Sequence, residues 1–233
     1  MAYLGIILLL FSEVAFSLEF ASNSNKSNVI ELYTSEGCSS CPPADKWLSH
    51  WANNPRLFKD IIPMAFHVDY WDDLGWKDPW ASPAFSYRQR QLEKQGLLSQ
   101  VYTPAILLTS QEWRTWRKHK LLPNIKPVKA GLLSAKINDS ELVVMYSVEG
   151  EYELNIAYLG MGLVSNITAG ENRSRELHHD FVVLEHFKQT GKLMWNVDLP
   201  TLPKRGQKQT AISVWLTKVN SLEIEQAAAA FIN

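Results

Sequence analysis

Cys38 and Cys41 are the only two cysteines of the chain, spaced as Cys38-Ser39-Ser40-Cys41. Two thiols at this spacing admit three chemistries: reversible thiol–disulfide exchange, half of a metal site, or a covalent staple. The staple is the weakest of these, because so small a loop constrains little of the unfolded chain. Exchange needs one acidic thiol. A helix N-terminus supplies unpaired N–H groups and the positive end of the dipole, and cysteines in C-x-x-C motifs fall to pKa values of roughly 3.5–7.5. On this reading Cys38 occupies the N-cap and is the nucleophile. Cys41, one helical turn on, is the resolving thiol that attacks the mixed disulfide and releases the reduced partner.

The flanking residues form the elements this chemistry needs. Residues 29–34 read as a buried strand, Gly37 as the turn out of it, and residues 38–51 as a helix with Pro42 and Pro43 in its first turns. Prolines are tolerated there because those N–H groups have no intrahelical partner. Residues 61–69 form a second strand, apolar enough to be buried on both faces. Strand, helix and strand at this spacing predict parallel strands joined by a right-handed crossover. A loop rich in Trp, Asp and Pro follows over residues 70–83, then a helix to about Gln95, a strand over 105–109 and a hairpin partner over 112–116. Pro123 and Pro127 argue against a long helix over 120–129. Beyond lie short strand-like runs at 132–137, 142–148, 152–159, 193–197 and 211–216, a rhythm that suggests an antiparallel sandwich. One helix is expected among them, over residues 179–188.

Further residues are candidates for the chemistry. His67 and Asp69, two apart at the carboxyl end of the second strand, are candidate proton relays to Cys41, with Glu31 a lesser one. The competing reading is a hydrogen-bonded His and an Asp bracing the Trp-rich loop. Trp71, Trp76 and Trp80 either rim a substrate surface or pack under that loop. His178-His179-Asp180 is read as no metal site, since adjacent residues on a helix point apart.

The chain has 233 residues, 46% hydrophobic and 20% charged, with a formal net charge of −1. That is the composition of a globular protein with a full core, and it argues against a nucleic-acid partner or an acidic membrane surface. Residues 4–11 are a short apolar run before Ala15-Phe16-Ser17, a cleavage-like sequence, so export is expected, with no membrane span after cleavage. An oxidising compartment permits a stable disulfide.

Residues 33–41, the strand end His67-Val68-Asp69-Tyr70-Trp71 and Thr103-Pro104 together resemble the thioredoxin superfamily, the Tyr33-Thr34-x-x-x-Cys-x-x-Cys spacing being similar to glutaredoxins. More specifically, the segments 36–45, 66–72, 75–79, 81–85 and 102–104 resemble the secreted bacterial proteins grouped as domain of unknown function 1223, with weaker matches around Gly170, Asn172, Arg175, Leu177, His178 and Asp180. The resemblance implies an α/β, thioredoxin-like mixed sheet with flanking helices, followed by a β-rich, sandwich-like domain. The expected organisation is a signal peptide over 1–17, a flexible leader over 18–28, the thioredoxin-like domain over 29–122 and the β-rich domain over 123–233. It also implies that Pro104 follows a cis bond beside the cysteine pair, with Thr103 offering its backbone to an extended substrate. The expected activity is exported thiol–disulfide exchange, without a cofactor, on a protein or a small thiol or disulfide. Two rivals stand beside it. One is copper handling, in which two thiolates and His67 hold Cu(I). The other is a binding module whose disulfide is static.

Overall fold

The computed structural model describes residues 16–119 and 121–232. The expected signal peptide falls almost wholly outside them. The chain is mixed α/β and strand-rich, with two α-helices, three short 3-10 turns and three sheets among the described residues. In order it forms β1 (Ser17–Ala21), β2 (Asn28–Thr34), α1 (Pro42–Ser49), β3 (Ile61–His67), α2 (Pro83–Lys94), β4 (Ala105–Leu108) and β5 (Gln111–Glu112). There follow β6 (Leu133–Asn138), β7 (Glu141–Tyr146), β8 (Tyr152–Met161), β9 (Leu163–Asn166), β10 (Glu176–His179), β11 (Val182–Gly191), β12 (Met194–Asp198), β13 (Gln209–Lys218) and β14 (Ile224–Phe231).

β2, α1 and β3 make the expected βαβ unit, and β2 runs parallel to β3 from Asn28↔Ile61 to Thr34↔His67. Alternation along β2 divides the core. Val29 and Tyr33 pack with Met64, Phe66, Phe85 and Leu92 on the α2 side. Ile30 and Leu32 pack with Ala44, Leu48, Ala65 and Ile106 on the α1 side. Ser82 starts α2 by accepting a hydrogen bond from the Ala84 N–H, and Pro83 follows it at the first helical position.

The largest sheet has the order β14-β13-β8-β11-β3-β2-β4-β5. It draws strands from both sides of the expected boundary at 122/123, so the two segments share one sheet. The joint is β11, antiparallel to β8 on one edge and parallel to β3 on the other, through Val182↔Ala65. Without β11 the edge of β3 would stand unpaired. A second, four-stranded sheet, β1-β6-β7-β12, packs its apolar face on β8, β13 and β14 around Tyr158, Trp195 and Val214.

Three expectations are corrected. Residues 18–28 are not a flexible leader: β1 pairs with β6, and Ser27 bonds through its N–H to Gln226 Oε1 (3.0 Å) and through its hydroxyl to Ala227 O (2.8 Å). Gln226 in turn donates to the Asn23 and Asn25 carbonyls, so a buried amide ties down a polar segment. Residues 182–191 are strand, not helix. A bulge between Val183 and Glu185 breaks the two-residue alternation and leaves the apolar run Val182-Val183-Leu184. The hairpin partner of β4 is only two residues long, and the turn falls at Thr109-Ser110, both at positive φ.

His186 on β11 gives the sheet a pH dependence. It stacks on Trp215 with ring centroids 5.1 Å apart, and its Nε2 lies 2.9 Å from Asn155 Oδ1. Burial first, then Arg88 and Lys188, push its pKa down to about 3. A His depressed in the folded state stabilises above its unfolded pKa, and that contribution is lost as pH falls toward the folded value. Wild type should therefore lose on the order of 2 kcal/mol between pH 6.5 and 4.5 through this group. Urea denaturation of wild type and His186→Asn at both pH values checks it. An equal pH slope in the two proteins would refute it.

Candidate functional site

The carboxyl ends of parallel β2 and β3 and the amino end of α1 meet at one end of the sheet, where open α/β sheets form their clefts. Cys38 and Cys41 lie there, joined as a disulfide with Cα atoms 5.4 Å apart. Cys41, not Cys38, holds the N-cap of α1. Pro42 and Pro43 set the helix start, and Cys38 sits in the turn before it, closed by Cys41 N–H to Cys38 O at 3.2 Å. The two prolines also remove two of the N–H groups that would face a thiolate. The nearest hydroxyl to Cys38 Sγ is Ser40 Oγ at 3.3 Å.

Both cysteines are fully buried. Their cover comes from the segment between β9 and β10. Asn172, itself buried, donates through Nδ2 to the carbonyls of Glu36 (2.8 Å) and Cys38 (3.0 Å), and Arg175 fixes its Oδ1 at 2.9 Å. Glu171 accepts from the Ser39 N–H at 3.1 Å. The Trp-rich loop closes the other side. A Cβ at Gly37 would lie 2.8 Å from Trp71 Cβ, so only glycine lets Trp71 approach the cysteine turn this closely. Trp71 donates its indole N–H to Thr103 Oγ1 at 2.8 Å, and the Thr103–Pro104 bond is cis. The Trp76 and Trp80 indoles both donate to the Glu36 carboxylate, at 2.8 and 3.2 Å. These half-buried tryptophans thus point their N–H groups inward.

Below this cover lies a buried polar cluster. His67 Nδ1 is 2.7 Å from Asp78 Oδ2, which also accepts from the Glu36 N–H at 2.8 Å. His179 Nε2 is 3.0 Å from Glu36 Oε1. Asp45, in the first turn of α1, accepts from Thr34 Oγ1 at 3.1 Å. Burial pushes the His67 pKa down, but Asp78, Asp45 and Glu36 outweigh it and hold it above the usual value. Burial pushes the Asp78 carboxyl up, but His67 and the Glu36 and Trp80 N–H groups hold it below the usual range. The Asp45 carboxyl stays raised, because burial outweighs both histidines.

The expected relay residues separate. His67 joins the cluster. Asp69 bonds Ser86 of α2, and Glu31 faces the opposite side of β2, paired with Arg88 at 2.6 Å. Asp45, Asp78, Glu36, Asn172 and His179 were not singled out for this site. The alternation of β10, with Leu177 and His179 buried and His178 exposed, is the signal that separates the two adjacent histidines.

A family model described as a protein of unknown function (DUF1223) matches residues 29–217. The chain belongs to the DUF1223 family. The match takes in the cysteine pair, the Trp-rich loop, Asn172 and His179, so DUF1223 spans both halves of the shared sheet. No curated protein matches the chain. Two solved structures resemble this DUF1223 fold. A structural-genomics protein of Agrobacterium tumefaciens is 22% identical over 88% of this chain and 92% of its own, with a TM-score of 0.57. HBP35 of Porphyromonas gingivalis is 10% identical over 90% of this chain and 76% of its own, with a TM-score of 0.51. At these identities the likeness is one of fold.

Proposed function

We propose that this DUF1223 protein is an exported thiol–disulfide oxidoreductase on a thioredoxin-like arrangement, working in the periplasm or outside the cell. The observation that carries the reading is the Cys38–Cys41 disulfide at the start of α1, with the cis Thr103–Pro104 bond tied to the same loop by Trp71. The βαβ unit with β4 antiparallel to β2 supports the arrangement. An intramolecular disulfide is in keeping with an oxidising compartment. No helix among the described residues is long and apolar enough to cross a membrane.

In the oxidising direction a partner thiolate attacks Cys38 Sγ, the intramolecular S–S bond breaks, and Cys41 leaves as thiolate. A second partner thiolate attacks the mixed disulfide and releases Cys38. Two electrons and two protons pass from the partner dithiol to the pair, and the reverse sequence reduces a disulfide. Access to Cys38 requires the segment around Asn172 to lift. The same burial favours a second reading, a static disulfide in a binding module.

The reduction potential separates the two. Exchange enzymes lie at roughly −270 to −120 mV, whereas structural disulfides lie below about −300 mV. Turnover of an insulin or small-disulfide substrate should be abolished by Cys38→Ser and by Cys41→Ser. A potential below the structural limit, with no turnover in wild type, leaves the static module.

A further inference from the structure

Each histidine of the buried cluster is braced on one ring nitrogen by a carboxylate, His67 by Asp78 and His179 by Glu36. The other nitrogen of each, His67 Nε2 and His179 Nδ1, is buried without a hydrogen-bond partner. The rings meet edge to face with centroids 5.0 Å apart. Asp45 completes the group: its Oδ1 is 4.0 Å from His179 Nδ1, and one ligand atom from each of the three residues lies within 4.8 Å of the others. One ring nitrogen of each histidine and a carboxylate oxygen of Asp45 thus lie within 4.8 Å of one another, each from a different element: β3, β10 and α1.

Orphaned buried polar atoms are costly, so a pair aimed together asks for a common partner. A carboxylate on the far nitrogen of each histidine is the outer-shell arrangement that fixes the tautomer of metal-ligating imidazoles. We propose that Asp45, His67 and His179 bind a divalent transition-metal ion of the zinc type. Two nitrogens and an oxygen suit Zn2+, whose bonds to such ligands are about 2.0–2.2 Å. A tetrahedral centre with those bonds sets its ligand atoms roughly 3.4 Å apart. The cluster reaches that by side chains closing inward. Three protein ligands leave a fourth position open. A cavity of about 390 Å³ lined by Pro42, Asp45, Lys46, Ser49, His178 and His179 reaches two of the ligands from solvent. The site is independent of the exchange activity and differs from a cysteine-based copper site in needing neither sulfur.

Untagged, oxidised, metal-stripped protein titrated with Zn2+ by calorimetry should bind one ion per chain. The Co2+ form should show d–d bands without a sulfur-to-metal charge-transfer band. His179→Gln and Asp45→Asn should each weaken Zn2+ binding at least tenfold. The bracing variant Asp78→Asn should weaken it roughly 10–100-fold. The double variant Cys38→Ser, Cys41→Ser should keep it. Absence of binding by folded wild type overturns the proposal. So does binding unchanged in the folded ligand variants, or binding lost with the cysteines. The cysteine double variant also separates the two readings: loss of turnover with retained Zn2+ supports both, whereas Zn2+ binding without any turnover in wild type leaves the metal site standing alone.

Discussion

Arg88→Met should lower the unfolding free energy by about 3–5 kcal/mol, the usual cost of removing one partner from a buried ion pair. Arg88 is 6% exposed and Glu31 is 0% exposed. The guanidinium sits between α2 and the sheet, with Nη2 2.6 Å from Glu31 Oε1, Nη1 bonded to the Tyr33 hydroxyl, and its Cζ 4.8 Å from the centre of the Phe66 ring. Burial already pushes the Glu31 carboxyl above its ordinary value with Arg88 beside it. Without Arg88 the carboxyl must either hold an uncompensated charge among apolar neighbours or take up a proton, and either outcome weakens the fold. Methionine keeps much of the volume, so the loss reports the charge more than a cavity. Replacing both partners, Arg88→Met with Glu31→Leu, should recover most of the loss, because matched apolar groups no longer need desolvated charge. Guanidinium denaturation of the two single variants and the double variant measures the coupling. A double variant no more stable than the single would show that the pair itself is not what the core requires.

Glu36→Ala should cost at least about 3 kcal/mol, because it orphans three donors, each worth roughly 1–3 kcal/mol when buried and unmade. Those donors are the Trp76 and Trp80 indoles and His179. Burial and the neighbouring Asp78 push the Glu36 carboxyl up, but the bonds from His179 and Ser165 outweigh them and hold it below the usual range. Glu36→Gln retains one acceptor oxygen and should cost less than half as much. The loss in the alanine variant should be accompanied by a red shift of tryptophan emission as the loop of residues 70–80 loosens. A Glu36→Ala protein within 1 kcal/mol of wild type, with unchanged emission, would remove Glu36 from its place as the tie between that loop and β10.

Much of this was legible from local pattern. The run at residues 29–34, the paired prolines after Cys41 and the apolar segment at 61–69 declare a βαβ unit, because each is decided by its own residues. The alternation at 132–137 and 142–148 declares β6 and β7 for the same reason. Three features lay outside local pattern. β14 contains Ala227, Ala228, Ala229 and Ala230, residues that favour helix in isolation, and becomes strand because β13 pairs with it along its length. β11 loses its alternation to a bulge. The buried cluster joins Asp45 to His179 only through the path of the shared sheet, and no spacing along the chain encodes that contact. The position of Cys41 at the helix start was readable, since Pro42 and Pro43 mark it.

The place of β11 in the sheet also sets an order of events during synthesis. β3 is complete at His67, but the residue that pairs parallel with its Ala65 is Val182. A chain emerging from its N-terminus therefore carries a finished, apolar strand with an open edge until most of the second half has been made. Long-range parallel pairing is slow to form and exposes strand edges while it waits. Such a chain gains from a holding partner during synthesis, and a truncation after residue 122 leaves an adhesive edge.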